Sequence, residues 1–306
     1  MVGHQTLNLI ILVRVQVGQH KIMTSAMNPE TYKIERPAGL LEARRLYSPE
    51  AQKVMNYALS FHERFNREKW TQPSFHDRNH IVATIDASRL FIEAAQGGND
   101  PLRIYADLER WNKGKDDSQY ISINELREVS MLAFACHDLG NIIEDDTISM
   151  RKEYSSKNAE DRSAQIAERI MTEFNTKTKY LPLIKDIILN TKFKSDPNKP
   201  LTLFTQVVDQ IGGNVCNVKS REQLTEGILY EFAAENIPVS TDQSYNFVPR
   251  TLKEMIPAEK NRITVWNILS KGKGEYSQHL QIKFQNRPTP DRIEDVWKKL
   301  HPITRK

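Results

Sequence analysis

The stretch Cys136-His137-Asp138-Leu139-Gly140-Asn141 closes an apolar run, Ser130-Met131-Leu132-Ala133-Phe134-Ala135. An apolar helix that delivers an adjacent imidazole and carboxylate at its end buries two ionisable groups, which is unfavourable unless a partner or a metal meets them. A divalent cation would meet both, because imidazole and carboxylate together suit zinc, iron, manganese or nickel. Further donors of the right type stand at a distance along the chain. His80 lies upstream in Phe75-His76-Asp77-Arg78-Asn79-His80-Ile81-Val82, and Asp209 lies downstream in Phe204-Thr205-Gln206-Val207-Val208-Asp209-Gln210-Ile211-Gly212-Gly213.

The elements that must position these residues read as helices. Pro49-Glu50 opens a periodic stretch through Val54, Met55, Ala58, Leu59 and Phe61. Ser74 is a candidate cap, and the spacing of Ile81, Ile85, Leu90, Phe91 and Ala94 predicts a helix from His80 to Ala95. Lys113 to Gln119 is polar and reads as a loop, after which Asn124-Glu125 starts the helix that ends at His137. Further helices are expected over Ala159 to Asn175, Leu181 to Thr191 and Leu201 to Gly212, with Gly212-Gly213 as a helix stop. No sustained strand alternation interrupts them, so the expected class is all-α. His80 then begins one helix, His137 and Asp138 end another, and Asp209 lies within a third. Helical bundles build metal sites in this way, from side chains that converge on the core.

Composition narrows the function. At 306 residues with 39% hydrophobic and 27% charged, the chain suits one sizeable domain with an appendage in an ordinary soluble protein. A net charge of +4, scattered along the chain, is too small to argue for a nucleic-acid partner. The two cysteines, Cys136 and Cys216, sit in or beside apolar stretches and read as buried thiols of a reducing, cytoplasmic compartment. Leu7 to Val13 is apolar but Arg14 follows at once, too short a run for a membrane span and without a signal-peptide plan. Met23 and Met27 are plausible alternative starts. The expected organisation is a flexible leader over residues 1–40, a metal-dependent domain over 41–235 and a mostly helical extension over 236–306. Within the last part, Arg221 to Ala234 reads as helical and Ile237 to Arg250 as loop. Leu280 to Phe284 could be one short strand, and a final helix begins at Pro290-Asp291. This region could close a pocket, form a homo-oligomer face or bind a partner.

The order His80, His137-Asp138, Asp209 resembles the HD-domain metal-dependent phosphohydrolases, over roughly Tyr47 to Gly213. Phe75-His76-Asp77-Arg78-Asn79-His80 is similar to the aromatic-His-x-x-x-His opening of several HD families. Glu160-Asp161-Arg162-Ser163-Ala164 and Ile188-Leu189-Asn190-Thr191-Lys192 resemble Glu-Glu-Arg-Ser-Ala and Ile-x-x-Thr-Lys stretches of one uncharacterised HD group. Phe193-Lys194 follows where that group places another histidine, a departure that bears on a second metal and on the substrate. The resemblance implies an HD helical bundle in which His80, His137, Asp138 and Asp209 ligate one divalent ion, of Mn, Zn, Ni, Fe, Co or Mg.

Two imidazoles and two carboxylates would leave positions for water and a phosphoryl oxygen, and the ion would bring the water's pKa towards neutrality. Asp138 is then best placed to hold or deprotonate that water, with Glu160 a candidate acid or base, or else a first-turn glutamate that complements the helix dipole. His76 could orient a ligand from behind or cap the following helix. Arg78, Lys192 and Lys194 are candidates to hold an anionic substrate, and Asn141 to contact the water or end a helix. The chain has no Gly-rich phosphate loop, dinucleotide fingerprint, Gly-x-Ser-x-Gly elbow or zinc cysteine cluster. The expected activity is hydrolysis of a phosphate ester or anhydride of a nucleotide or small phosphorylated metabolite. A degenerate HD module that binds without turnover, and an HD-type di-iron oxygenase, are the alternatives.

Overall fold

The computed structural model describes residues 47–68, 75–142, 158–192, 195–219, 223–224, 247–274 and 277. Their regular structure is entirely helical: α1 (Pro49–Glu68), α2 (Arg78–Gln96), α3 (Ile104–Asn112), α4 (Ile123–Cys136), α5 (Leu139–Ile142), α6 (Ala159–Glu173), α7 (Leu181–Asn190), α8 (Thr202–Gln206), a π-helical segment (Val207–Gly212), α9 (Gly213–Val215), α10 (Phe247–Met255) and α11 (Glu259–Leu269). None of these helices is long and apolar enough to cross a membrane. The expected leader, the helix at Arg221 to Ala234, the strand at Leu280 to Phe284 and the helix from Pro290 lie wholly or almost wholly outside the described residues.

Helix α4 is the axis of the bundle. Val129 to Cys136 are buried without interruption, so this helix is apolar all round and needs neighbours on every side. α1, α2, α6 and α7 supply them. Its entry is fixed by a capping box, in which the Ser122 hydroxyl accepts from Glu125 N and the Glu125 carboxylate accepts from Ser122 N. Full burial of side chains such as Phe134 contributes roughly 1.5–3 kcal/mol each. The start of α1 is tied to the axis by Glu128, whose carboxylate accepts from Ser48 N at 2.7 Å. Cys136 lies in this core as a free thiol, and burial pushes its pKa up to about 12.

Helix α3 has no counterpart in the sequence reading. Asp100 holds its first turn by accepting from Ile104 N and Tyr105 N, and Trp111 Nε1 donates to Asp186 on α7 at 2.9 Å. Gly212-Gly213 also differs from expectation, because the helical path runs through both glycines to Val215. A Cβ at Gly212 would run into Ala87 of α2, so this glycine serves a close helix crossing and not a stop. Ile237 to Arg250 was expected as loop, yet α10 begins at Phe247. Pro249 falls in its first turn, where a missing N–H costs nothing. Val248, Leu252, Val265, Trp266 and Leu269 belong to the same hydrophobic core as α2 and α4, and Ser277 donates to Val215 O at 3.0 Å.

Candidate metal centre

Each of the converging side chains is held by its own local structure. His80 is the third residue of α2. Asp77 caps that helix by accepting from Asn79 N at 2.9 Å and His80 N at 3.1 Å, and Lys219 Nζ fixes the other carboxylate oxygen at 2.6 Å. The capping role weighed for His76 therefore falls to Asp77. His76 instead sets its ring edge-on to His80, with centroids 5.6 Å apart. His137 is the C-cap of α4, and its Nδ1 donates to Phe134 O at 2.8 Å. That bond fixes the tautomer and leaves the Nε2 lone pair facing outward, the usual preparation of a ligating histidine. Asp209 stands in the π-helical segment, an irregularity that is frequent at functional sites.

These groups meet at one point. His80 Nε2 and His137 Nε2 each lie 3.2 Å from Asp209 Oδ1, and 3.6 Å and 3.1 Å from Asp138 Oδ2. One ligand atom from each of His80, His137 and Asp209 falls within 4.8 Å of the others. Both histidines and Asp138 are buried and Asp209 is mostly so. A neutral His137 with its proton on Nδ1 turns a lone pair towards two carboxylate oxygens, which repels unless a cation lies between them. Asp138 Oδ2 and His80 Nδ1 have no hydrogen-bond partner among the described residues. The donor set, two imidazole nitrogens and two carboxylates aimed inward, fits a divalent transition metal.

In the protein without metal a proton takes the cation's place. Burial opposes the charge on His137, but the adjacent Asp138 and Asp209 carboxylates win and push its pKa well above the ordinary 6.5. Burial likewise opposes ionisation of Asp138 and Asp209, and the surrounding imidazoles lower both carboxyls, holding Asp138 well below the usual carboxylate range. A raised histidine stabilises the fold fully below pH 6.5, and that contribution is lost as pH rises through the folded value. The lowered carboxylates contribute above pH 3.8, and lose this as pH falls through their folded values. The melting temperature of chelated protein should therefore fall on the alkaline side. Added metal should abolish that fall, because ligation no longer needs the proton. Melting curves against pH, with chelator and with Mn²⁺, check this, and superimposable alkaline limbs would contradict it.

The residues after the doublet are clasped by α6. Gly140 N donates to Ser163 Oγ at 2.8 Å, Arg162 Nε donates to Gly140 O at 3.2 Å, and Asn141 Nδ2 donates to Asp138 Oδ1 at 3.1 Å. The Glu160-Asp161-Arg162-Ser163-Ala164 stretch thus has a physical role through Arg162 and Ser163. Glu160 itself is half-buried in the first turn of α6 and makes no hydrogen bond or ion pair to the ligand set among the described residues. Arg78 opens α2 with its Nε buried and unpartnered among the described residues, Lys192 is exposed just past α7, and Lys194 lies outside them.

Two contributors escaped the sequence reading. Gly213 leaves room for the His80 ring, since a Cβ there would lie 2.5 Å from Cε1 and 2.7 Å from Nδ1. Gly213→Ala should displace the ring and weaken metal binding by about 10–100-fold, the range for lost support of a ligand. Competitive titration with a chromogenic chelator checks this, and an affinity within about twofold of wild type would contradict it. The other is His62, buried on α1, on whose ring the ionisable groups of Asp138, His137, His80 and His76 act electrostatically. Its signal was the helical spacing from Met55 and Leu59.

Comparison with protein-family models, curated proteins and solved structures gave no match.

Proposed function

We propose that the chain is an HD-type phosphohydrolase that uses one divalent metal to cleave a phosphate ester or anhydride of a nucleotide or small phosphorylated metabolite. The observation that carries this reading is the meeting of His80, His137, Asp138 and Asp209, from distant parts of the chain, with both Nε2 atoms turned to carboxylate oxygens. The sequence order of these ligands and the clasp that Arg162 and Ser163 place on the loop after the doublet support it further.

A divalent ion held by these four residues supplies Lewis acidity towards a phosphoryl oxygen and lowers the pKa of water. The chain's own residues do the rest. Asp138 has one oxygen tied to Asn141 and the other turned into the site, so it can hold a water in line and accept its proton. Two carboxylates offset a divalent charge, so an anionic substrate needs further cations, and Arg78 beside His80 is the nearest in sequence, with Lys192 and Lys194 at the end of α7. Glu160 remains the candidate for proton transfer at the leaving group. The protein would act in the cytoplasm on a small-molecule partner, without nucleic acid or membrane, and the 236–306 extension is where a homo-oligomer contact is sought.

Full-length protein loaded in turn with Mn, Zn, Ni, Fe, Co and Mg should hydrolyse members of a nucleotide and phosphomonoester panel, and a chelator should stop it. Stoichiometric metal with no turnover on any compound would refute the hydrolase reading and favour a binding module.

A further inference from the structure

Helix α1 carries one imidazole that the ligand set does not use. Met55, Ala58, Leu59 and His62 follow one another at helical spacing on the buried face of α1, which packs against α4 and α5. His62 is 1% exposed, and neither ring nitrogen has a hydrogen-bond partner among the described residues. A neutral imidazole carries one donor and one acceptor, and buried polar groups in folded proteins are almost always paired. Helix α1 packs against α5, which starts one residue after Asp138, and the Asp138, His137, His80 and His76 groups act electrostatically on this ring, so it lies on the metal-centre side of the core. Burial lowers its pKa to about 3, which keeps it uncharged at neutral pH. The compact ligand group comprises His80, His137 and Asp209, and His62 stands outside it. Arg78 Nε, in the first turn of α2, is a second buried donor without a partner among the described residues.

We propose that His62 is a further substrate-contacting residue of this site, its imidazole N–H donating to an oxygen of the bound phosphate group. The proposal rests on the phosphohydrolase reading and adds to it a contact from α1. It also predicts a trade-off, because an apolar residue of similar volume removes an unpaired buried polar group and so relieves the substrate-free protein.

The test is calorimetric titration of Mn²⁺-loaded full-length protein with inorganic phosphate, beside Mn content and melting temperature. His62→Leu should keep its Mn²⁺, melt at or above the wild-type temperature and bind phosphate at least about tenfold more weakly, the loss expected for one hydrogen bond to a charged group. His62→Gln, which keeps a donor, should stay within about threefold of wild type. If leucine is not accommodated, the smaller His62→Ala, which carries no donor, should show the same loss of affinity. Wild-type phosphate affinity in either the Leu or the Ala variant overturns the proposal and leaves the hydrolase reading standing. Loss of Mn²⁺ together with phosphate overturns it too, because His62 would then be a ligand. No phosphate binding to the Mn²⁺-loaded wild type overturns both readings.

Discussion

His137→Ala should lose its bound divalent ion and hydrolyse phosphate substrates at least roughly a thousandfold more slowly, which corresponds to about 4 kcal/mol of transition-state stabilisation. The size follows from the position of this imidazole. It is the one ligand within 3.2 Å of both carboxylates, and its other nitrogen is already fixed by Phe134 O. Removing it leaves Asp138 and Asp209 facing each other in a buried site with only His80 between them, so the metal-free variant should also bind a proton on the carboxylate pair at higher pH than wild type. Asn141→Ala offers a graded comparison. It removes only the amide that holds Asp138 Oδ1, and should cost about 10–100-fold in metal affinity or rate. Elemental analysis and steady-state kinetics on the two variants check the order. Equal effects, or a His137→Ala protein with full metal content, would show that the cluster is not the site of catalysis.

Gly140→Ala should produce the largest loss of stability of any single methyl addition in the bundle. A Cβ there would press on Ala159 O and come within 2.9 Å of Ser163 N, and both are backbone atoms of the α6 entrance that no rotamer change can move. Overpacking of this kind costs about 3 kcal/mol, or a fall in melting temperature on the order of 10 °C. Because the same contact includes the Gly140 N to Ser163 Oγ bond, α6 should retreat and loosen the loop behind Asp138. The expected result is a destabilised protein whose metal affinity also falls, measured by thermal melting and chelator competition. Ser163→Ala removes the bond without the clash and should destabilise by about 1–3 kcal/mol, leaving one buried N–H unmet. A Gly140→Ala protein as stable as wild type would mean that α5 and α6 do not approach as closely as described.

The helical class was legible because α1, α2, α6 and α7 are long and periodic, and the doublet stood out because a His-Asp pair follows an unbroken apolar run. Other features depend on contacts that local pattern does not encode. A nine-residue α3 has Ile104, Tyr105, Leu108 and Trp111 as its large hydrophobic residues, with Tyr105 exposed, and it is fixed by Asp100 and by a bond from Trp111 to a distant carboxylate. The π-helical turn at Val207–Gly212 has the same apolar spacing as an α-helix, so only its backbone hydrogen bonding distinguishes it. Gly212 and Gly213 read locally as a helix stop. Their use is set by Ala87 and His80, more than a hundred residues earlier in the chain. His62 was not singled out, because its spacing from Met55 and Leu59 only places it on the buried face of α1. That its ring nitrogens stay unpaired among the described residues depends on the packing against α4 and α5. His76 was open between two roles, and a cap on its neighbour Asp77 removed one of them.

The proposed function requires that His80, His137, Asp138 and Asp209 form one metal site. Elemental analysis of purified wild-type protein beside Asp209→Ala, without added metal, tests it most directly. About one equivalent of a transition metal in the wild type, lost in the variant, is the result expected of a four-ligand set whose distant carboxylate lies within 3.2 Å of both imidazoles. No metal in either protein, even after reconstitution with manganese, zinc, nickel and iron, would contradict it.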